Sequence, residues 1–386
     1  MLHERNAMIN LAEETIDKSD LTALIEWLDK NPRLTKGQET EHFEREWSEW
    51  QGQQSSVFVN SGSSANFMMF HALLYSNMLR NKKVVVPSIS WVTTVSPAML
   101  LGYDPIICDC DEIDLGLSLD DFEKICQEED PAVAIVVHVL GHANKMKEIL
   151  KICEKYDVIL LEDCCEAYGA YYQGEKVGNF GLMSSFSFYF GHHMSTIEGG
   201  MVSTSNRELK NILLSIRSHG WLRDLDKDVK QRHIEEHKIT EFESLFTFIY
   251  PGMNLRSTDL SAFIGRRQLE KLSVNVDKRD KNYQLYKSLL EDDLWIQTSE
   301  TEKVSCLGLG LIAQNRENVA RSLLDSNIEC RPLLCGSIQE QPFWKRQKRN
   351  LPNALNVHNN GFYVPCHDKL TEEDIRQIVN IVKESL

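Results

Sequence analysis

Ala132-Val133-Ala134-Ile135-Val136-Val137-His138-Val139, the helical pattern of Asn144–Tyr156, and Val158-Ile159-Leu160-Leu161-Glu162-Asp163 together decide the fold. Both apolar runs are short, continuous and bounded by polar residues, which predicts strands buried on both faces. Between them Met146, Ile149, Leu150, Ile152 and Cys153 recur at helical spacing. Strand, amphipathic helix and strand make a parallel crossover unit. Lys83-Val84-Val85-Val86-Pro87 and Asp104-Pro105-Ile106-Ile107-Cys108-Asp109 extend the pattern upstream. The expectation is an α/β fold with a mostly parallel mixed sheet covered on both faces. Ligands of such sheets sit beyond the carboxyl ends of the strands. That singles out Pro87–Trp91, His138–His142 and Asp163–Glu166.

A chain of 386 residues corresponds to two or three domains at ~150 residues each. After about Leu269 the pattern becomes amphipathic helix, short strands, then helix. The expected division is 1–268, a large α/β domain with an N-terminal helical segment, and 269–386, a smaller C-terminal α+β domain. Thr371–Leu386 reads as a helix capped by Thr371, with Glu372, Glu373 and Asp374 in its first turn. Leu222–Lys238 is charged and irregular and reads as a solvated excursion.

Basic residues number 42 and acidic residues 57, a net charge of −15. Such a surface repels phosphate backbones, so no nucleic-acid partner is expected. No run of ~18 apolar residues could span a membrane. The opening MLHERNAMINLAEETIDKSD is acidic and has no apolar core, so no secretory leader and a cytoplasmic location are expected. The ten cysteines are scattered, which reads as reduced thiols. Neither Cys108/Cys110 nor Cys164/Cys165 has zinc-ribbon spacing, and His138 and His142 flank Gly141 in a segment that follows a strand, so no metal is expected.

Three motifs carry the chemistry. Asn60-Ser61-Gly62-Ser63-Ser64-Ala65-Asn66 lies between an apolar run and a helical pattern. A small-residue turn opening a helix presents free N–H groups to an anion; alone it reads equally as an ordinary capped turn. Leu161-Glu162-Asp163-Cys164-Cys165-Glu166 ends a buried strand in carboxylates. A buried Asp needs a cation or strong donors; alone it reads as a helix cap. Phe186-Ser187-Phe188-Tyr189-Phe190-Gly191-His192-His193-Met194-Ser195-Thr196-Ile197-Glu198-Gly199-Gly200 has an aromatic strand, a turn with paired histidines and a Gly-Gly.

In order and spacing these pieces, with Leu34-Thr35-Lys36-Gly37, Gly252-Met253-Asn254-Leu255-Arg256 and Gly361-Phe362-Tyr363-Val364-Pro365, resemble the DegT-type sugar-nucleotide aminotransferases, a fold-type-I group dependent on pyridoxal phosphate. The resemblance implies that Gly62, Ser63 and Ser187 hold the cofactor phosphate. It places Asn254 on the phosphate across a homodimer interface and Trp91 on the pyridine ring. Asp163 would pair with the protonated ring nitrogen. Glu166, where many relatives have Gln, would lie beside the ring hydroxyl. His219, Arg256 and Arg331 are further candidates for anion or substrate contacts.

One departure sets the expected activity. Relatives that transfer amino groups carry a lysine six residues before the acid of Glu-Gly-Gly. Here that position is His192, and no lysine occurs between Lys176 and Lys210. Imidazole cannot form the imine that lysine makes, but it can move protons. The pattern resembles the 3-dehydratase branch of the family. It implies glutamate as amino donor, a cofactor cycling between pyridoxal and pyridoxamine phosphate, and removal of the C3 hydroxyl from a GDP-linked 4-keto-6-deoxy sugar with ammonia release. His192 is the expected base and His193 its rival. The absence of cysteine between Cys165 and Cys306 removes the thiolates that cluster-bearing members use, so no iron–sulfur cluster is expected. The alternatives are an aminotransferase using a distant lysine and a non-catalytic, cofactor-binding subunit.

Overall fold

The computed structural model describes residues 8–386. The first seven residues of the segment read as lacking a leader, and of the expected first domain, lie outside them. Seven strands form the principal sheet: β1 (Ser55–Val59), β2 (Lys83–Pro87), β3 (Asp104–Cys108), β4 (Val133–Val137), β5 (Ile159–Asp163), β8 (Met183–Ser187) and β9 (Gly200–Thr204). Between β5 and β8, β6 (Tyr171–Tyr172) and β7 (Glu175–Lys176) make a small hairpin. The sheet order is β1-β9-β8-β5-β4-β2-β3. Pairs from β8 through β3 are parallel, and β9 runs antiparallel to both neighbours.

Alternation explains why β4 reads as a continuous apolar run. Val133, Ile135 and Val137 enter one core with Met68, Val84 and Leu213. Ala134 and Val136 enter the opposite core with Phe43, Trp47 and Ile149. With no face left for water, every position is apolar.

β8 corrects the sequence expectation. The aromatic run Phe186–Phe190 was expected to be the strand, yet β8 is Met183–Ser187 and most of that run lies beyond it. Phe186 and Phe188 pack on Trp47 at ring separations of 5.0 and 4.9 Å, while Tyr189 is exposed. Serines occupy the strand because helix Gly62–Leu73 approaches closely: a Cβ on Gly62 would lie 2.5 Å from Ser187 Cβ. Leu222–Lys238 is likewise ordered where irregularity was expected. It forms a 3-10 turn, Leu222–Asp224, and helix Lys227–Glu236, none of whose residues is buried. Local pairs such as Gln231–Glu235 (2.8 Å) support that solvated helix.

A second, antiparallel sheet contains β10 (Trp295–Ile296), β11 (Gly308–Ile312), β12 (Arg331–Pro332) and β13 (Gly361–Pro365), in the order β10-β11-β13-β12. Helices Arg316–Asp325 and Glu372–Ser385 cover it, the latter with a capping box at Thr371. The 32-residue helix Asp259–Leu290 joins the two parts. Ala262, Leu269, Leu272 and Val276 pack on the large sheet's core, and Tyr283, Tyr286 and Leu290 on the small sheet's core. The position 268/269 lies inside this helix. Among the described residues no helix is long and apolar enough to cross a membrane.

The loop after β4 meets the strap leading into β11. Leu307 N–H donates to Leu140 O (3.1 Å) and Ser305 N–H to Gly141 O (3.2 Å). Gly141 has φ +98°, and a Cβ there would lie 2.0 Å from Ser305 O. Gly141→Ala combines a left-handed backbone with a backbone clash, so it lowers stability by about 2–3 kcal/mol. Urea unfolding of the two proteins measures this, and an unchanged midpoint contradicts the close approach.

Candidate active site

Five loops at the carboxyl end of the large sheet, after β1, β2, β4, β5 and β8, converge on one site. After β1, Ser61 caps helix Gly62–Leu73 by accepting from Ser64 N–H (3.1 Å). Gly62 and Ser63 are the first helical residues, so their N–H groups have no partner within the helix. Gly62 stands against Ser187, and Ser63 Oγ lies 3.2 Å from Thr93 Oγ1. Backbone donors, two serine hydroxyls and a helix dipole thus meet on one small patch, which suits a phosphate.

Asp163 ends β5 and is 3% exposed. Its Oδ2 accepts from Asn66 Nδ2 (2.7 Å) and Thr94 Oγ1 (2.8 Å), and its Oδ1 from Cys165 N–H (3.1 Å). These three donors are all neutral. A carboxylate buried among neutral donors is suited to a cationic partner supplied from outside, such as a protonated pyridine nitrogen. Ser185 Oγ donates to Asn66 Oδ1 (2.6 Å), which fixes the amide so that its NH2 faces Asp163. Trp91 immediately precedes helix Val92–Leu100, which carries Thr93 and Thr94, and its side chain is largely exposed.

Glu166 is buried, and its Oε2 accepts from Leu140 N–H (2.8 Å). Leu140 adopts φ +51°, a conformation that a branched residue rarely takes, and this aims its N–H at the carboxyl group. Burial pushes Glu166 up to about 8; the Leu140 N–H opposes the shift and the Asp163 charge adds to it. Glu166 is therefore largely protonated at neutral pH and can donate a hydrogen bond. Tyr363 on β13 and Cys335 are close enough to feel its charge, so the small sheet forms part of the wall.

The histidine turn separates two similar residues. His193 is fully buried; its Nε2–H donates to Ser305 O (2.7 Å), and its ring packs on Tyr168 at 4.7 Å. His192 is half-buried, and its Nδ1 has no hydrogen-bond partner. Desolvation pushes His192 down to about 4, against the nearby Asp163 carboxylate, which favours the charged form. Imidazole at this position is neutral at physiological pH, which leaves a ring nitrogen able to take up a proton.

The other expected residues lie around this centre. Asn254 Oδ1 accepts from Arg256 Nε (2.9 Å), and the exposed Asn254 stands one residue before Leu255, whose carbonyl accepts from Asn60 N–H (3.0 Å) beside the phosphate turn. His219 is exposed, with φ +65°, and its N–H donates to Met253 O (2.9 Å). Arg331 sits on β12, paired with Glu329 at 2.6 Å and opposite Tyr363 in register. The sequence reading missed Asn66, Thr94, Leu140 and Tyr363. Asn66 carried a detectable signal: it is a polar residue one turn into a helix whose next residues are apolar. Leu140 carried none, because its contribution is a backbone N–H.

Residues 14–383 match the DegT/DnrJ/EryC1/StrS aminotransferase family. The chain is 35% identical to GDP-4-keto-6-deoxy-D-mannose 3-dehydratase of Yersinia pseudotuberculosis over 98% of this chain and 100% of that protein. Its fold superposes on a His-to-Asn variant of GDP-4-keto-6-deoxymannose-3-dehydratase (ColD) with bound GDP-perosamine, with a TM-score of 0.90, 31% identity and coverage of 97% and 100%. A structure of GDP-4-keto-6-deoxymannose-3-dehydratase with a trapped PLP-glutamate geminal diamine matches with a TM-score of 0.89, 29% identity and the same coverage. With likeness over nearly its whole length in both sequence and fold, the chain belongs to the DegT/DnrJ/EryC1/StrS aminotransferase family.

Proposed function

We propose that this chain is a pyridoxal phosphate- and glutamate-dependent 3-dehydratase. It converts a GDP-4-keto-6-deoxy sugar into a GDP-4-keto-3,6-dideoxy sugar and releases ammonia. The carrying observation is His192, neutral and half-buried beside Asp163, at the position where aminotransferring relatives have lysine. The named relatives at 35% and 31% identity support the substrate class.

When bound, the cofactor supplies an electron sink. The chain's own groups do the rest. The N–H groups of Gly62 and Ser63, with the hydroxyls of Ser63 and Ser187, bind the phosphate. Asp163 holds the proton on the ring nitrogen, and Asn66 and Thr94 keep its carboxylate in place. Trp91 would stack on one face of the ring. Neutral Glu166 donates to the ring oxygen while Leu140 N–H fixes its other end. His192 takes up a proton at its imidazole and returns it to the departing C3 hydroxyl. His193 is held between Tyr168 and Ser305 and positions the turn.

Two copies complete each site in this reading. Asn254 is exposed on the single chain among the exposed apolar side chains of Met253, Phe246 and Phe248, which suits a face covered by a second copy. His219, Arg256 and Arg331 remain candidates for the substrate's anionic groups.

The deciding experiment is product mass from GDP-4-keto-6-deoxymannose with pyridoxal phosphate and glutamate. A product lacking one oxygen, with equimolar ammonia and 2-oxoglutarate, is expected; a product bearing a new amine makes the chain an aminotransferase. His192→Asn lowers product formation by about 10²–10⁴-fold while glutamate still bleaches the cofactor's visible absorption. Full turnover in that variant, with loss in His193→Asn, transfers the role to His193.

Glu166 gives a pH test. Its carboxyl is raised from 4.5 to about 8 in the folded chain, so the folded state holds a proton that the unfolded state releases. Its contribution to stability is full below the unfolded value and is lost as pH rises through that window. Glu166→Gln cannot ionise, so its melting temperature gains on wild type between about pH 5 and about pH 8. Parallel pH profiles for the two proteins refute the raised pKa.

A further inference from the structure

Among the described residues two clusters outside the active site bring together side chains able to ligate a metal. The buried set His138, Glu162 and Cys164 is already committed. Glu162 accepts from Gly178 N–H (2.7 Å), Phe180 N–H (2.8 Å) and Gly181 N–H (2.5 Å), and contacts His138 Nε2 (3.1 Å). A cation there would displace a satisfied network, so this set is structural.

The other cluster lies on the solvated helix Lys227–Glu236 and the residue that follows it. His233, Glu236 and His237 each offer one ligand atom, and the three atoms lie within 4.8 Å of one another. Helical spacing of three and four residues puts them on one face. The two imidazole planes are nearly parallel, 4° apart, with centroids at 6.0 Å. His233 Nδ1 has no hydrogen-bond partner. Glu235 is engaged by Gln231 (2.8 Å), and Glu236 is the carboxylate that faces the rings. Bonds of ~2.1 Å in a tetrahedral site require ligand separations of about 3.4 Å, within reach of side-chain rotation. Arg232 places a positive charge beside His233, which the Glu236 carboxylate offsets.

We propose that His233, Glu236 and His237 bind one divalent transition metal ion of the zinc class, with solvent water as the fourth ligand. Two imidazoles and a carboxylate are a borderline donor set that selects Zn2+, Ni2+ or Cu2+ over Mg2+ and Ca2+. The site also has a structural reason. The helix buries no residue and is tethered at its first turn by Lys210–Asp226 (2.9 Å) and Arg207–Asp228 (2.5 Å). A chelate across its last turn holds that turn helical, because all three ligands lie on this one segment. His233 packs edge-on against Tyr250 at 6.4 Å, and Tyr250 against Tyr75 at 5.0 Å. His233 thus connects this turn to Tyr250, four residues before Asn254. This departs from the sequence expectation of no metal, which considered only cysteine spacing and the histidines near the sheet.

Isothermal titration of the cofactor-loaded full chain with ZnSO4 tests this, alongside His237→Ala and Glu235→Gln. The expected result is one Zn2+ per chain at this site and no competition by Mg2+. Loss of a ligand weakens binding at least as much as loss of an outer-sphere partner, so His237→Ala costs at least about 10–100-fold, whereas Glu235→Gln binds as wild type. His237 is a weakly packed helix-end residue, so its variant folds; matching melting curves without metal check this. Failure to bind Zn2+ at millimolar metal, or equal binding by His237→Ala, overturns the proposal.

Discussion

The site depends on a buried carboxylate that this chain does not neutralise with a charge of its own. Asp163 stands at the end of a central parallel strand, 3% exposed, among donors from Asn66, Thr94 and Cys165. An ionised carboxylate in such a place is costly unless its hydrogen bonds are complete and a cation arrives. The surrounding elements serve that condition. Helix Gly62–Leu73 supplies Asn66 from one side, helix Val92–Leu100 supplies Thr94 from another, and Ser185 fixes the Asn66 amide. The groups that satisfy Asp163 thus come from the early turns of two helices that start at this end of the sheet.

Electrostatics then divides the labour among neighbours. Asp163 and Glu166 are separated by less than one helical turn of sequence, yet their surroundings treat them oppositely. Asp163 has three donors, while Glu166 has one N–H; burial, with the repulsion of Asp163 added, pushes Glu166 up to about 8 against that N–H. His192 and His193 are adjacent, yet His193 is fully buried on the Ser305 carbonyl while His192 is half-buried; desolvation lowers both imidazoles and holds them neutral. A carboxyl that keeps its proton beside a neutral imidazole is what acid–base chemistry at one pH needs.

The two sheets are coupled through backbone contacts near this centre. The strap at Ser305–Leu307 receives His193 and lies against Leu140 and Gly141, while Leu140 turns its N–H to Glu166. A single left-handed loop after β4 thus links the small sheet, the histidine turn and the Glu166 carboxyl.

Much of this was legible in the residues. Runs such as Val133–Val137 and Ile159–Asp163 specify parallel strands because both faces are buried and no polar alternation survives. The Ser-Gly-Ser turn, the carboxylates at a strand end and the histidine six before Glu198 are local features, and local chemistry is readable in sequence. The extent of the aromatic strand and the order within Leu222–Lys238 were misread, since both depend on neighbours far along the chain. The rest belongs to tertiary structure. Asn66 and Thr94 serve Asp163 across 97 and 69 residues of sequence, and His193 meets Ser305 across 112. Sequence determined which groups were present and which strands would carry them; packing alone decided which histidine was fixed on a carbonyl and that the Glu166 carboxyl kept its proton, because protonation follows burial and partners, and both are properties of the folded chain.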